Sequence, residues 1–382
     1  MKVFIVLNIV ILILFSLVVA QEIEKFDPQK QKDFLKLIPK DDKGEIVSAL
    51  EDAAGNYKEL VKAIKLADED KKEDLIWLIQ RIPHLDRLTI TSDILLEHLD
   101  YAFESKGKFK YEVPEELFRE FILTYRIGSE PVQKWRKTLF DIFYPMVEDK
   151  SSPSDVAKTI NHWVKESIRE RAREYFGQVQ PPLRTLKGKK GTEEEIAILT
   201  TAILKSLGIP GRRAKVSFFG QEIGGASWVE IFDGGSWIPL YPLDPGDFGD
   251  FSKYEKDYTQ NITVVYTRSA NQRSLITSGY TPTGFLKVCI FEDSQPMIKF
   301  EDFSVSVIND GSLCPLDELF YGYVGEELST DSAGCFQVEL GDGIYWVQAG
   351  KRDSLGNPQV VMQKAVVEPE KTTEMRLDIS SE

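Results

Sequence analysis

Residues 191–242 limit the possible folds most. Gly191-Thr192-Glu193-Glu194-Glu195 opens an apolar run, Ile196, Leu199, Ile203, Leu204 and Leu207, at helical spacing. Thr192 with Glu195 makes a capping box, in which one hydroxyl and one carboxylate take backbone N–H groups that the first turn leaves without partners. Gly208 and Pro210 end the helix in the usual order. Short strands are expected over 213–218, 227–232 and 237–241, with turns at 220–225 and at Asp233-Gly234-Gly235. A helix packed on a short antiparallel sheet is therefore the centre of an α+β fold.

The flanks differ from this centre and from each other. Over 21–150 the pattern is helical. Ile46, Leu50, Tyr57, Leu60, Val61, Ile64 and Leu66 recur at helical spacing, and Ser92 precedes another apolar face. Arg126 and Glu130 are spaced for an ion pair. A long helix is expected from 154 to about 175, with Val156, Ile160, Trp163, Val164 and Ile168 inward, then a polar linker through Pro181, Pro182 and the basic run 187–190, read as a solvated loop. From 283 the period becomes two: Leu286, Val288 and Ile290; Val305 and Val307; Phe336, Val338 and Leu340; Tyr345, Val347 and Ala349. Short alternating strands with Gly and Asp between them predict a β-sandwich. The expected layout is a leader at 1–20, a helical region at 21–150, the core at 151–275 and the sandwich at 283–382.

The leader is read from Lys2, an apolar stretch over 3–19 and the small residues Val18-Val19-Ala20 before polar Gln21. That order marks a secretory signal, so the expectation is an exported chain, periplasmic or extracellular, with no membrane attachment after cleavage. The net charge of −14, one unit more negative without Lys2, opposes nucleic acid and anionic lipid surfaces. Cys289, Cys314 and Cys335 all lie in the last quarter; one disulfide with one free thiol, or three buried thiols, both fit an exported chain. His84, His98 and His162 are scattered, so neither a zinc site nor any other cofactor is expected. Asp244, Asp247 and Asp250 lack the spacing of a calcium loop and read as a solvated turn.

The central motifs resemble the transglutaminase-like (papain-like) superfamily. Its pattern is Gly-x-Cys-x-x-x-Ala at a helix start, Gly-Ile-Pro-x-Arg, His-Ala-Trp-Val-Glu on a strand, then Trp-x-x-Leu-Asp-Pro. Gly191, Ala197, Leu207 to Pro210, Arg212, Trp228-Val229-Glu230, Trp237, Leu240 and Pro242 match it in order and spacing. Phe121 to Arg126, Glu130-Pro131 and Trp135-Arg136 are similar to the helical region of large bacterial exported members. Asp331, Gly334, Phe336, Leu340, Gly343, Tyr345 and Val347 resemble a transthyretin-like, carboxypeptidase-regulatory-like repeat.

The resemblance implies a Cys-His-Asp triad, and here the three positions are Glu193, Ala226 and Tyr241. In such a triad the helix dipole favours the thiolate, the imidazole moves the proton, and the Asp fixes its tautomer. Neither Cys nor His occurs between residues 163 and 288, so no shift of register restores the chemistry. The expectation is an inactive cleft, with Glu193, Glu195, Trp228, Trp237, Tyr241 and Asp244 as candidate lining, that binds a peptide or glycan or scaffolds another envelope protein. Two alternatives are a carboxylate-based hydrolase using Glu193 with Glu195 or Asp244, Glu222 also being near, and a structural envelope protein with a filled cleft.

Overall fold

A helix buried on every side has to be covered by something, and the elements on either side of 193–206 supply the cover. The computed structural model describes residues 25–108, 111–172, 178–221, 224–250, 262–269, 272–297, 302–319, 333–352 and 355–379. The expected leader, Glu222 and Asp331 lie outside them. The chain divides into two compact units, one ending at Asp93 and the other beginning at Ile94.

In the first unit, helices α1 (Lys43–Asp52), α2 (Tyr57–Leu66) and α3 (Lys72–Gln80) pack through Ile46, Leu50, Leu60, Ile64, Leu75 and Ile79, all without exposed surface. Leu66, counted on that apolar face by spacing, is 59% exposed, because the chain turns extended at Ala67 and leaves the helix end in solvent.

The second unit holds α4 (Ser92–Lys106, which starts at the division), α5 (Arg136–Phe143), α6 (Pro153–Ser167), α7 (Pro182–Gly188) and α8 (Glu193–Ser206). Every residue of α8 from Glu195 to Ser206 is buried, as a core helix must be. Its large aliphatics pack with Trp135, Leu139 and Phe143 before it and with Val156, Ile160 and Val164 of α6. Each such side chain contributes about 2 kcal/mol of burial. The expected capping box is present: Thr192 Oγ1 accepts from the Glu195 amide at 3.3 Å, and Glu195 Oε2 accepts from the Thr192 amide at 2.8 Å.

The helix expected to reach about 175 ends at Ser167. Ile168 is extended and buried, and strand β1 (Arg169–Glu170) pairs in parallel with β2 (Lys190–Gly191), a tertiary pairing across twenty residues that helical spacing does not register. The linker read as a loop carries α7, with Pro182 in its first turn; the lysines at 187, 189 and 190 are exposed. Gly191 is tight for space: an added Cβ would stand 2.9 Å from Thr185 Cγ2 and 3.1 Å from Glu195 Cβ.

The expected strands appear as β3 (Gly211–Val216), β4 (Ala226–Asp233) and β5 (Ser236–Leu240). Strands β6 (Tyr266–Ser269) and β7 (Gln272–Leu275), which the sequence reading did not separate, complete an antiparallel sheet of order β5-β4-β3-β6-β7. Val229 and Ile231 face α8, while Ala226 and Trp228 join Ala214, Val216 and Tyr241 in a cluster on the other face.

The sandwich has two sheets. One is β9 (Asp302–Asn309), β10 (Ser312–Pro315), β12 (Gly343–Arg352) and β13 (Pro358–Val367) in the order β10-β9-β12-β13; the other is β8 (Thr283–Glu292) between β11 (Cys335–Gly341) and β14 (Thr372–Ile379). The alternating residues of the sequence pattern form its core, with Phe336 partly buried against it. Cys289 and Cys335, opposite each other on β8 and β11, form a disulfide, and Cys314 is a free thiol. No described helix is long and apolar enough to cross a membrane.

A buried cationic clamp fixes the far end of α8. Arg136 donates through Nη1 to the Lys205 carbonyl at 2.8 Å and through Nη2 to the Ile122 carbonyl at 2.6 Å, with those of Leu123 and Thr124 at 3.3 and 3.2 Å. Lys205 Nζ reaches Thr124 Oγ1, and burial holds this ammonium well below the usual lysine range. Where an Arg126–Glu130 ion pair was expected, Arg126 Nη1 donates to the Glu130 carbonyl, while the Glu130 carboxylate takes the amides of Ile127 and Gly128 at 2.8 and 2.7 Å.

His98 closes the clamp. Its Nε2 lies 3.0 Å from the Gln133 carbonyl, so Nδ1 accepts from Arg136 Nε at 3.4 Å. Burial first, then the charge of Arg136, hold this imidazole well below its ordinary 6.5. The unfolded state takes up a proton near that value and the folded state does not, so stability falls as pH drops below 6.5. Just below that point urea unfolding of the wild type should lose roughly 1 kcal/mol per pH unit relative to His98→Gln; parallel profiles for the two proteins would refute the assignment.

Candidate functional site

Successive helical residues point about 100° apart, so the three glutamates opening α8 meet three different surroundings. Glu195 turns inward. Arg171 Nη2 donates to its Oε1 and Oε2 at 2.9 and 3.0 Å, and the Gln180 amide reaches Oε1 at 3.0 Å. Only 2% of its side chain is exposed. Glu194 turns to β3, where Arg213 Nη1 and Lys215 Nζ (3.0 Å) both hold it. Burial acts to raise this carboxyl, but the two cations prevail and it sits at about 2.

Glu193 faces a cavity. Its Oε1 accepts one hydrogen bond, from the Ser227 amide at 3.2 Å. Burial chiefly, with Glu170 and Glu194 adding repulsion against the Ser227 N–H and Lys215, pushes this carboxyl up to about 7. The cavity encloses about 270 Å³ between residues 170–172, 192–194, 215–217 and 224–227. Its wall thus contains Glu193 and Ala226, two of the three triad positions, but neither sulfur nor imidazole.

The third position, Tyr241, is buried beside Trp228 with ring centroids 6.3 Å apart. Trp228 is itself core, 1% exposed, with its indole N–H donating to the Tyr280 hydroxyl at 3.0 Å. Tyr280 passes the chain to Glu230 Oε1 at 2.6 Å, and Arg212 Nε donates to Glu230 Oε2 at 2.6 Å. Arg212 also lies 3.9 Å above the centre of the Trp237 ring, which packs edge-on against Phe121 and Phe232. Of the candidate lining, the structure therefore places Glu193 on the cavity, Glu195 beneath it in an ion pair, Trp228 and Tyr241 in the sheet core, and Trp237 in a separate stack. Asp244 bridges back to Tyr241 and is not on the cavity wall. Among the described residues no acidic or histidine cluster has metal-ligand geometry.

Glu170, Arg171, Lys215 and the Gly224-Gly225 backbone complete the wall, and no local signal pointed to them. Glu170 and Arg171 arrive through the β1–β2 pairing. At Gly225 the loop returns so close to β3 that an added Cβ would lie 2.3 Å from the Val216 carbonyl oxygen and 2.4 Å from that of Ser217. The sandwich holds this loop. Asn309 Nδ2 donates to the carbonyls of Phe219 and Gly224, each at 2.9 Å, and its Oδ1 accepts from the Gly224 amide at 3.1 Å.

Residues 141–242 match the model of the transglutaminase-like superfamily, so the chain contains a transglutaminase-like domain. A search of curated proteins finds no match. Similar solved structures include a candidate cysteine protease from Cytophaga hutchinsonii (12% identity, TM-score 0.29, 43% of this chain and 57% of that one). Red sea bream transglutaminase (14%, 0.28, 63% and 58%) is also similar. So is a candidate protease from Parabacteroides distasonis (10%, 0.28, 72% and 53%). The chain spans little more than half the length of each.

Two measurements check the site. A carboxyl raised from 4.5 to about 7 binds its proton more tightly in the folded state, so its contribution to stability is lost as pH rises through that interval. Glu193→Gln should therefore stabilise the protein by about 1–3 kcal/mol more at pH 8 than at pH 5, and an equal shift at both pH values would contradict the assignment. Asn309→Ala removes three hydrogen bonds, one buried and two partly buried, and should cost about 2–4 kcal/mol in urea unfolding; a change below about 0.5 kcal/mol would show that Asn309 does not hold the loop.

Proposed function

We propose that this is an exported, non-thiol member of the transglutaminase-like group whose retained cleft binds an extended peptide. The observation that carries the reading is the cavity itself: it persists at the start of α8 with a carboxylate at the nucleophile position and a methyl group at the base position. A carboxylate is a weak nucleophile toward an amide, and Ala226 has no proton to exchange. Peptide is favoured over glycan because, among the described residues, the wall has no aromatic ring on which a sugar could stack. Gly224 and Gly225 bring no side chain to the wall, so an extended backbone can approach it closely. An open cavity also counts against a purely structural role with a filled cleft.

The leader-like start and the Cys289–Cys335 disulfide support an oxidising compartment outside the cytoplasm. The sandwich, transthyretin-like in its sequence pattern, acts as an interaction module that also supports the cavity loop. A carboxylate-based hydrolase is the second reading, favoured by Glu193 standing near 7. Its partner would have to be Glu170, since Glu195 is held by Arg171 and Asp244 lies off the wall.

The chain expressed with its own leader should bind members of a fluorescent peptide panel at micromolar Kd, about −8 kcal/mol, and Gly225→Val, whose added Cβ would push the loop off β3 and deform the cavity, should abolish binding. Incubation with a labelled glutamine peptide and an amine should give no acyl adduct. Covalent labelling of the polypeptide, or steady release of hydrolysed product, would displace the binding reading in favour of an enzyme.

A further inference from the structure

We infer that the cavity selects a basic side chain, a lysine or arginine of the bound peptide placing its charged end between Glu193 and Glu170. This deepens the peptide-binding reading and rests on it.

The inference follows from which charges are already engaged. Arg171 binds both oxygens of Glu195, and Lys215 lies with Arg213 on Glu194. Among the described residues, both cations of the wall are thus taken by carboxylates other than the two facing the space. Glu193 has a single main-chain N–H, and among the described residues neither Glu193 nor Glu170 forms an ion pair. Glu170 repels Glu193, so the two sense one another across the opening. Glu193, half-buried, and Glu170, exposed at the rim, face one opening, and two like charges so placed are mutually unfavourable. An ammonium or guanidinium group relieves both, a neutral group leaves the repulsion in place, and an acidic group adds to it. The volume of about 270 Å³ lies just under the range of roughly 300–1,000 Å³ for whole small-molecule ligands, a size for one long side chain.

The groups facing Glu193 also set a pH dependence. They are Glu194 on its own helix, Glu170 and Arg171 on the β1 segment and Lys215 on β3; β4 presents only Ala226 and the Ser227 main chain. Because Glu193 loses its charge below about 7, the preference for a basic residue should weaken by roughly tenfold between pH 8 and pH 6.

The test uses three acetylated, amidated pentapeptides that differ only at the central residue, which is lysine, norleucine or glutamate. Titration calorimetry on the full chain at pH 8 should rank lysine at least tenfold above norleucine, with glutamate weakest. That advantage should shrink at pH 6. It should vanish in Glu193→Gln, a variant whose thermal melt at pH 6 shows it folded, and fall about threefold in Glu170→Gln. Equal binding of the lysine and norleucine peptides at pH 8 would overturn the inference while leaving the peptide reading standing. A lysine advantage that survives Glu193→Gln would overturn it too, by tracing the preference to the overall negative charge. Failure of all three peptides to bind would overturn the reading beneath it.

Discussion

The structure depends on a helix with no solvent-facing side. A solvated helix leaves its terminal N–H and C=O groups to water, but α8 must find partners for them inside the protein. At its start, Thr192 and Glu195 cap each other, and Arg171 balances the buried carboxylate. At its end, Arg136 gathers the Lys205 carbonyl together with three carbonyls from 122–124. Both solutions draw on distant segments. The helix therefore orders the strand at 169–170, the turn at 119–123 and α5 around itself, and a substitution at either end disturbs more than a cap.

That constraint also explains why a glutamate is tolerated where the superfamily pattern has cysteine. The N-terminal dipole favours an anion there. Yet the same position is partly desolvated and faces further carboxylates, so the acid is pushed up to about 7 despite the dipole and the Ser227 N–H. Its neighbour Glu194, one residue along the same turn, goes to about 2 because two cations reach it. Adjacent carboxyls pushed to opposite extremes are a common feature of acid–base sites. Here the ionised partner is neutralised by Arg213 and Lys215, which removes it as a free base and leaves Glu193 as the group with unused capacity.

What was legible in the sequence was local. The capping box, the Gly-Ile-Pro turn, the strands β3 to β5 and the alternating β-sandwich all declare themselves within a few residues, and the structure has them where spacing puts them. Helical spacing carries the helix after 154 too far because its end is set by β1–β2 pairing, to which periodicity is blind. The cavity was half legible: Glu193 and Ala226 come from the motif, whereas Glu170, Arg171 and Lys215 come from tertiary placement. Trp228 and Tyr241 looked like cleft residues because the motif puts them near the triad. The alternation of β4 puts Trp228 on the sheet face away from α8, and the indole is satisfied there by Tyr280.

The cavity draws on two parts of the second unit at once. Its floor and one wall are the start of α8 and the end of β3, but its outer loop is held by Asn309, a residue of the sandwich whose amide makes all three of its bonds to 219–224. A second strap, from the Gln221 amide to the Ile308 carbonyl at 2.8 Å, reinforces it. Buried amide bonds of this kind are costly to leave unmade, so the loop and the end of β9 have to move together if they move at all. Anything that docks on the sandwich and shifts β9 would then be felt at Gly224 and Gly225. The sandwich is in that sense part of the binding site, although none of its side chains lines the cavity.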